Sequence, residues 1–221
     1  MRHKFRQAGF TLIELLAVVV IILILAGIVL GLVKFANDKA ARAKAETEMA
    51  AMSTALESYK TDNGTYPKGV SDGTTPSITG VLNARLDFKP QEDRYKKASA
   101  ILYRALSGDP GSSSGSSATN FNKVYWNPPE TAKSSANTTA LIDADGIKSR
   151  YFVDPFGNTY GYSTAYDEAQ AIQAAGTTTT PITVGFNPTF DLWSTSGYGL
   201  VKSYPVSASD PNNPSYWIKN W

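Results

Sequence analysis

The chain has 221 residues, no cysteine and a formal net charge of +2, which fits one domain plus an anchor and excludes disulfides, thiolate chemistry and cysteine metal sites. Its single histidine is His3, so serine–histidine catalysis and histidine-ligated zinc are excluded from the body. Arg2, Lys4 and Arg6 fall in the first nine residues, which carry no acid; removing them from 21 bases leaves 18 against 19 acids, a near-neutral body with no basic field for nucleic acid.

Residues 1–9, MRHKFRQAG, are basic and end in a small residue. Residues 10–33, FTLIELLAVVVIILILAGIVLGLV, are apolar apart from Thr11 and Glu14, and 19 residues from Leu15 to Val33 carry no charge. A helix needs about 20 such residues to cross a bilayer, whereas the apolar core of a secretory signal peptide is about 7–15 residues long. The positive charges precede the span, so the N-terminus is expected on the cytoplasmic side with the body across the membrane.

The helix is expected to continue. Residues 34–60 are rich in Ala, Lys, Glu and Met, all good helix formers. Met49, Met52, Leu56 and Tyr59 follow 3/4 spacing and mark one apolar face, with Lys39, Arg42, Glu46 and Glu57 largely elsewhere. Asn63-Gly64, with Pro67 beyond, is the stop signal. One helix from Phe10 to Lys60 is roughly 75 Å long, more than twice what a membrane needs. The apolar face of its second half must therefore pack on the body's own sheet.

After Pro67, residues 68–92 are turn-rich, and RYKKASAILYRALS (94–107) predicts a second helix with Ala98, Ile101, Leu102, Ala105 and Leu106 on one side and Gly108 at its end. PGSSSGSSATN (110–120) is a flexible loop by composition. Residues 147–163 predict two strands around a turn at Asp154-Pro155-Phe156-Gly157-Asn158. Residues 166–175 predict a short helix ended by Gly176, and Thr177–Thr180 a polar connector. Ile182–Phe186, Phe190–Thr195 and Tyr216–Trp221 are further strand candidates. The expected fold class is α+β: a long N-terminal helix laid across a small, mostly antiparallel sheet with long loops. The expected organisation is a leader (1–9), a transmembrane helix (10–33), its soluble continuation (34–63) and a globular body (64–221).

Gly9-Phe10-Thr11-Leu12-Ile13-Glu14 is the strongest motif. With the short basic leader and the unbroken apolar run, it resembles the entrance of the type IV pilin and type II secretion pseudopilin superfamily. In that family a membrane-embedded peptidase cuts after the glycine and methylates the new amine, which implies a cut between Gly9 and Phe10 here. A carboxylate such as Glu14 costs about 2.5–3.5 kcal/mol in an apolar span. Cleavage would create a cationic amine at Phe10, one helical turn away, to serve as its partner within the chain or in an adjacent subunit. The alternative is a Glu14 that lies near the interface and snorkels out. Gly27 and Gly31 form a GxxxG pair, which permits close helix contact in lipid or reflects simple tolerance of glycine. Many relatives carry proline at the position of Gly31; this chain does not.

Three later stretches resemble the major pseudopilin of type II secretion, in the same order: Asn63-Gly64-Thr65-Tyr66-Pro67, then Asp154 to Tyr162, then Phe190-Asp191-Leu192-Trp193-Ser194 with the terminal Ile218-Lys219-Asn220-Trp221. The same residues also serve as ordinary turn and core chemistry. Extra material around residues 70–150 and 164–187 departs from the family pattern. So does the segment Ser194-Thr195-Ser196-Gly197-Tyr198-Gly199, where an acidic calcium loop is usual. Calcium takes about six to eight oxygen ligands; Asp191 and Asp210 are the nearest acids and the candidate ligands, and no other cofactor is expected. Asp143-Ala144-Asp145-Gly146 opens like a calcium loop but lacks its later ligands. Absence of cysteine also excludes the disulfide-closed loop of many type IV pilins.

The resemblance implies a structural subunit of a type II secretion pseudopilus, single-pass in the inner membrane, with its N-terminus cytoplasmic and its body periplasmic. Implied partners are copies of itself, other pseudopilins, a prepilin peptidase, an inner-membrane assembly platform and the membrane itself; no nucleic acid is expected. The chain has no P-loop, so mechanical work would come from a cytoplasmic ATPase. The alternative is a type IV pilin or minor pilin of a surface filament, used in adhesion, motility or DNA uptake. An enzyme would have to rely on acid pairs such as Glu92/Asp93 or Asp167/Glu168, which are ordinarily solvated surface.

Overall fold

The structure, a computed structural model, describes residues 11–69, 82–85, 87, 89–109, 112–113, 123–134, 147–148, 150–176, 181–196 and 217–221. Helix α1 runs from Leu12 to Asn63 and is 52 residues long. It ends at the Asn63-Gly64 stop that the sequence marks, and its last turn is closed from several directions. Ser58 and Thr61 hydroxyls donate to carbonyls four residues back, and the Asn63 amide donates to the Tyr59 carbonyl and the Tyr125 hydroxyl. Gly64 then takes a left-handed φ of 77° and donates its N–H to the Lys60 carbonyl at 2.7 Å, which is the glycine stop that helices favour.

The chain divides into two compact units, Met1–Ala41 and Arg42–Trp221, and the boundary falls inside α1. In the second unit, α1 buries Ala45, Glu48, Met49, Met52, Ala55 and Leu56, the 3/4 stripe that the sequence marks. This stripe joins Tyr66, Leu102, Leu106, Phe152, Tyr160, Tyr162, Phe190, Leu192 and Ile218 in one apolar core.

Helix α2 (Asp93–Ser107) begins one residue early and ends at Gly108, whose φ is 69°. The sequence predicts one apolar side; instead α2 is buried almost all round, from Ala98 to Leu106 and at Tyr95. A second cluster explains this. Leu82, Ala84, Tyr95, Ala98 and Trp193 pack together, with Phe186, Trp217 and Trp221 against them. The buried Ser99 of α2 is satisfied across the core: its hydroxyl accepts from the Phe152 N–H at 3.0 Å and donates back to the Phe152 carbonyl.

Two small sheets follow. Strand β1 (Ser112–Ser113) pairs antiparallel with β2 (Ile147–Lys148), so a stretch expected to be loop by composition holds a short strand. Strands β3 (Gly161–Ser163), β4 (Asp191–Ser194) and β5 (Ile218–Lys219) form an antiparallel sheet in the order β3-β4-β5. The register sets Gly161 opposite Trp193, Tyr162 opposite Leu192, and Trp193 opposite Lys219. All of β3 and β4 is buried, because Tyr162 and Leu192 enter the first cluster while Trp193 enters the second. The fold is α+β, a long helix with a small antiparallel sheet, as the sequence implies.

Several boundaries change. The two strands expected over 147–163 appear at its ends as β2 and β3, which pair with β1 and β4, and across the turn itself Val153 and Thr159 form a single bridge. The Asp154 carboxylate organises that turn by accepting the N–H groups of Phe156 and Asn158 at 3.0 and 2.8 Å. Helix α3 (Ala165–Ala174) lies one residue earlier than expected. Ile182–Phe186 is not a strand. Its end is folded around Gly185 at φ 66°, and the N–H of Phe186 goes to the Asp191 carboxylate rather than to a ladder. The strands expected over 190–195 and 216–221 shorten to β4 and β5. The leader, the Thr177–Thr180 connector and Asp143 to Gly146 lie outside the described residues.

Two buried acids hold the helix and turn to the sheet. Glu48, at the apolar stripe of α1, accepts from the Tyr160 hydroxyl at 2.8 Å and has Lys44 Nζ at 3.8 Å. Asp154 accepts from the Ser194 hydroxyl of β4 at 2.5 Å. Burial pushes the Glu48 carboxyl above its ordinary range, against the pull of Tyr160 and Lys44. Burial does the same to Asp154, with the Glu48 charge adding to it.

These features generate two predictions. A Cβ on Gly161 would overlap the Trp193 indole ring. Gly161→Ala should therefore destabilise the body by about 1–3 kcal/mol, the usual cost of overpacking, measured by urea unfolding; unchanged stability would contradict the register. The second prediction concerns pH. A folded pKa above the unfolded value gives stability that is complete below the unfolded pKa, about 4 for a carboxylate, and is lost as pH rises through the folded value. Glu48→Gln keeps an acceptor for Tyr160 but carries no charge. It should raise the melting temperature near pH 7 and leave it unchanged near pH 4; an equal effect at both would contradict the burial of a charged Glu48.

Candidate functional site

Thr11 and Glu14 form the head of α1. The Glu14 carboxylate reaches back, and its Oε2 accepts the Thr11 backbone N–H at 2.9 Å and the Thr11 hydroxyl at 2.7 Å. The Glu14 N–H in turn points at Thr11 Oγ1 at 3.4 Å. This is a capping box, in which two residues three apart satisfy each other's orphan groups at a helix start. The Leu15 N–H closes the first turn on the Thr11 carbonyl at 3.2 Å. In the sequence Thr11 stands only as a polar exception in an apolar run; the Thr-x-x-Glu spacing is the signal that identifies its part in the helix head.

Around this polar pair the neighbours among the described residues are apolar and uncovered. Leu12 is 84% exposed, Ile13 74% and Leu15 62%. Exposed apolar side chains continue from Leu16 to Ile28 and again at Val33 and Phe35. A stripe of that length on one helix is apolar enough to cross a membrane. A Cβ built on Gly27 meets nothing within 4 Å, so that glycine makes no close approach to the described residues. Gly31 lies within α1, and its surroundings are outside the described residues. Gly9 and Phe10 also lie outside them.

The calcium candidates are Asp191 and Asp210. Asp191 is buried at the start of β4. Its Oδ2 accepts the Phe186 N–H and its Oδ1 the Asn187 N–H, both at 2.9 Å. Burial pushes this carboxyl up, while the two N–H groups and the Arg85 charge pull it down. Each oxygen thus already holds a backbone donor. Asp210 lies outside the described residues, and among the described residues no group of three or more His, Cys, Asp or Glu gathers to hold a metal. The hydroxyls of Thr195 and Ser196 are buried just after β4 without a hydrogen-bond partner among the described residues, and Ser196 takes a left-handed φ of 53°.

Three of the four acids in these pairs have structural partners. Glu92 is held by Arg94 at 2.6 Å and Lys89 at 3.5 Å, Asp167 by Lys68 at 2.7 Å, and Glu168 accepts the Thr164 hydroxyl at 2.6 Å.

The chain matches the family model of the prokaryotic N-terminal methylation motif over residues 4–30. It is 44% identical over 108 residues to the type II secretion system core protein G of Aeromonas hydrophila, covering 49% of this chain and 70% of that protein. It is 43% identical over 110 residues to the core protein G of Vibrio cholerae, covering 50% and 69%, and 42% identical over 110 residues to that of Escherichia coli K12, covering 50% and 70%. No solved structure matches the chain. With a capped acidic helix head, an exposed apolar helix and this coverage of its relatives, the chain belongs to the type II secretion system core protein G family.

Proposed function

We propose that the chain is a structural subunit of a pseudopilus, processed between Gly9 and Phe10 by a prepilin peptidase, N-methylated at Phe10 and polymerised through α1. The observation that carries this reading is Glu14, the one charge in the apolar stretch from Leu12 to Val33, which is exposed from Leu12 to Ile28. In the free subunit Glu14 has only Thr11 as a partner among the described residues. A neighbouring subunit's Phe10 amine would supply the opposite charge that an acid in hydrocarbon requires. Before assembly the subunit is anchored in the inner membrane by α1, with its N-terminus cytoplasmic and its body periplasmic. Its partners are further copies, other pseudopilins and an inner-membrane assembly platform, and close helix packing at Gly27 and Gly31 supports the bundle. The role is structural rather than catalytic, and Glu92, Asp167 and Glu168 are each engaged in an ion pair or hydrogen bond.

For the C-terminal strands we propose that Asp191 does its work through the backbone of Phe186 and Asn187, without calcium. If calcium binds, Asp191 and Asp210 are its carboxylate ligands, aided by the Thr195 and Ser196 oxygens.

The assembly claim is tested by expressing Glu14→Ala with the peptidase and assembly machinery, weighing the mature chain and pelleting sheared filaments. The mature mass should start at N-methylated Phe10 in both wild type and variant, and the variant should give no filaments. Loss of one partner of a buried ion pair typically costs about 3–5 kcal/mol. Normal filament yield would show that Glu14 is a tolerated interfacial residue. The metal claim is tested by thermal melts with calcium and with chelator. Melts should coincide; a higher melting temperature in calcium would establish a bound ion by mass action.

A further inference from the structure

We propose that Lys34 and Lys39, at the far end of the apolar stretch of α1, form a docking surface for the phosphate headgroups of anionic phospholipids. The inference rests on the reading that α1 anchors the chain in a membrane. After Glu14 no charge occurs until Lys34, and the next are Asp38 and Lys39. All three side chains are exposed, as are Val33 at 50% and Phe35 at 61%. Asp38 stands one turn from Lys34 and beside Lys39, yet among the described residues neither lysine forms an ion pair. The Lys39 ammonium lies instead over the Phe35 ring, 4.9 Å from its centroid.

The spacing fits the headgroup layer. Lys34 and Lys39 are five residues apart, about 7.5 Å of helical rise, and the polar layer on each side of a bilayer is about 5–8 Å thick. With the apolar stretch in hydrocarbon, Lys34 enters that layer and Lys39 reaches its outer margin. Lysine is suited to the place, because its apolar stem lies along hydrocarbon while its ammonium rises to the interface. Phe35 sets an apolar ring at the same boundary, with the Lys39 charge over its face. Two bases face one acid, so the surface stays positive. A second copy is the other occupant of suitable charge. Lipid phosphate is favoured because the lysines adjoin a stretch apolar enough to cross a membrane, and every anchored chain meets that phosphate before it meets a copy.

The test uses the full chain in neutral detergent, titrated with phosphatidylglycerol and with phosphatidylcholine, and native mass spectrometry to count the lipids retained. A base near an anionic surface is worth about fivefold in affinity, so wild type should prefer phosphatidylglycerol by about twentyfold. Lys34→Gln and Lys39→Gln should each lower that preference about fivefold, and the double variant should abolish it. Asp38→Asn should raise it, and added salt should weaken it in wild type. Lys89→Gln with Lys123→Gln makes the same charge change on exposed side chains of the body and should leave the preference intact. A Lys34/Lys39 double variant that keeps the wild-type preference overturns the proposal, as does a body double variant that loses as much. If the Lys34/Lys39 variant keeps its lipids but loses chemical cross-linking between copies, the lysines serve a second copy and the proposal is again overturned. Flotation of the wild-type chain with phosphatidylcholine vesicles checks the anchor separately: a chain that fails to float overturns the membrane reading itself.

Discussion

A carboxylate one turn into an apolar helix has to be satisfied by something, and the architecture of this chain follows from that constraint. Glu14 cannot be hydrated inside hydrocarbon, and its apolar neighbours offer no donors. In the single chain the constraint is met partly, by Thr11 through two hydrogen bonds to one oxygen. Among the described residues no donor reaches Oε1, and on the proposed reading a cation at the same depth, the cleaved N-terminus of another copy, would complete the set and tie insertion of the acid to polymerisation.

The second half of α1 solves a different problem with the same geometry. Its 3/4 stripe is buried by the body, where Met49, Met52 and Leu56 meet Tyr66, Phe152, Tyr160 and Leu192. Glu48 lies in this stripe too, and it is tolerated because Tyr160 donates to it and Lys44 stands nearby. The turn behind Tyr160 is fixed by Asp154, which also reaches β4 through Ser194. Helix, turn and sheet are therefore joined by buried acids that hydrogen-bond to neutral donors. That arrangement fixes register at some expense in stability at neutral pH.

Much of this was legible in sequence because it repeats with a period. The long helix shows as an apolar run followed by Met49, Met52, Leu56 and Tyr59, and its glycine stop lies where the sequence places it. The turn from Asp154 to Asn158 is legible because each residue has its own turn chemistry. What was not legible depends on contacts far apart in the chain. Nothing local shows that α2 is covered on both sides, since Trp193 and Leu82 complete the second cluster from distant segments. Ile182 to Phe186 has the apolar residues of a strand, yet its Gly185 N–H is captured by Asn83 and its Phe186 N–H by Asp191. Burial of Glu48 could have been read from its place in the stripe, between Ala45 and Met52, but its partner Tyr160 is 112 residues away. At the helix head the reverse holds: the Thr-x-x-Glu spacing is local, and only its apolar setting hides it.

The most direct test of the central claim is a structure of the assembled filament by electron cryo-microscopy, read at Glu14. The account predicts Glu14 Oε1 within about 4 Å of a neighbouring subunit's Phe10 nitrogen, the range of an ion pair, with Oε2 still held by Thr11. A Glu14 side chain that faces lipid or solvent, with no neighbour's amine in reach, would contradict it.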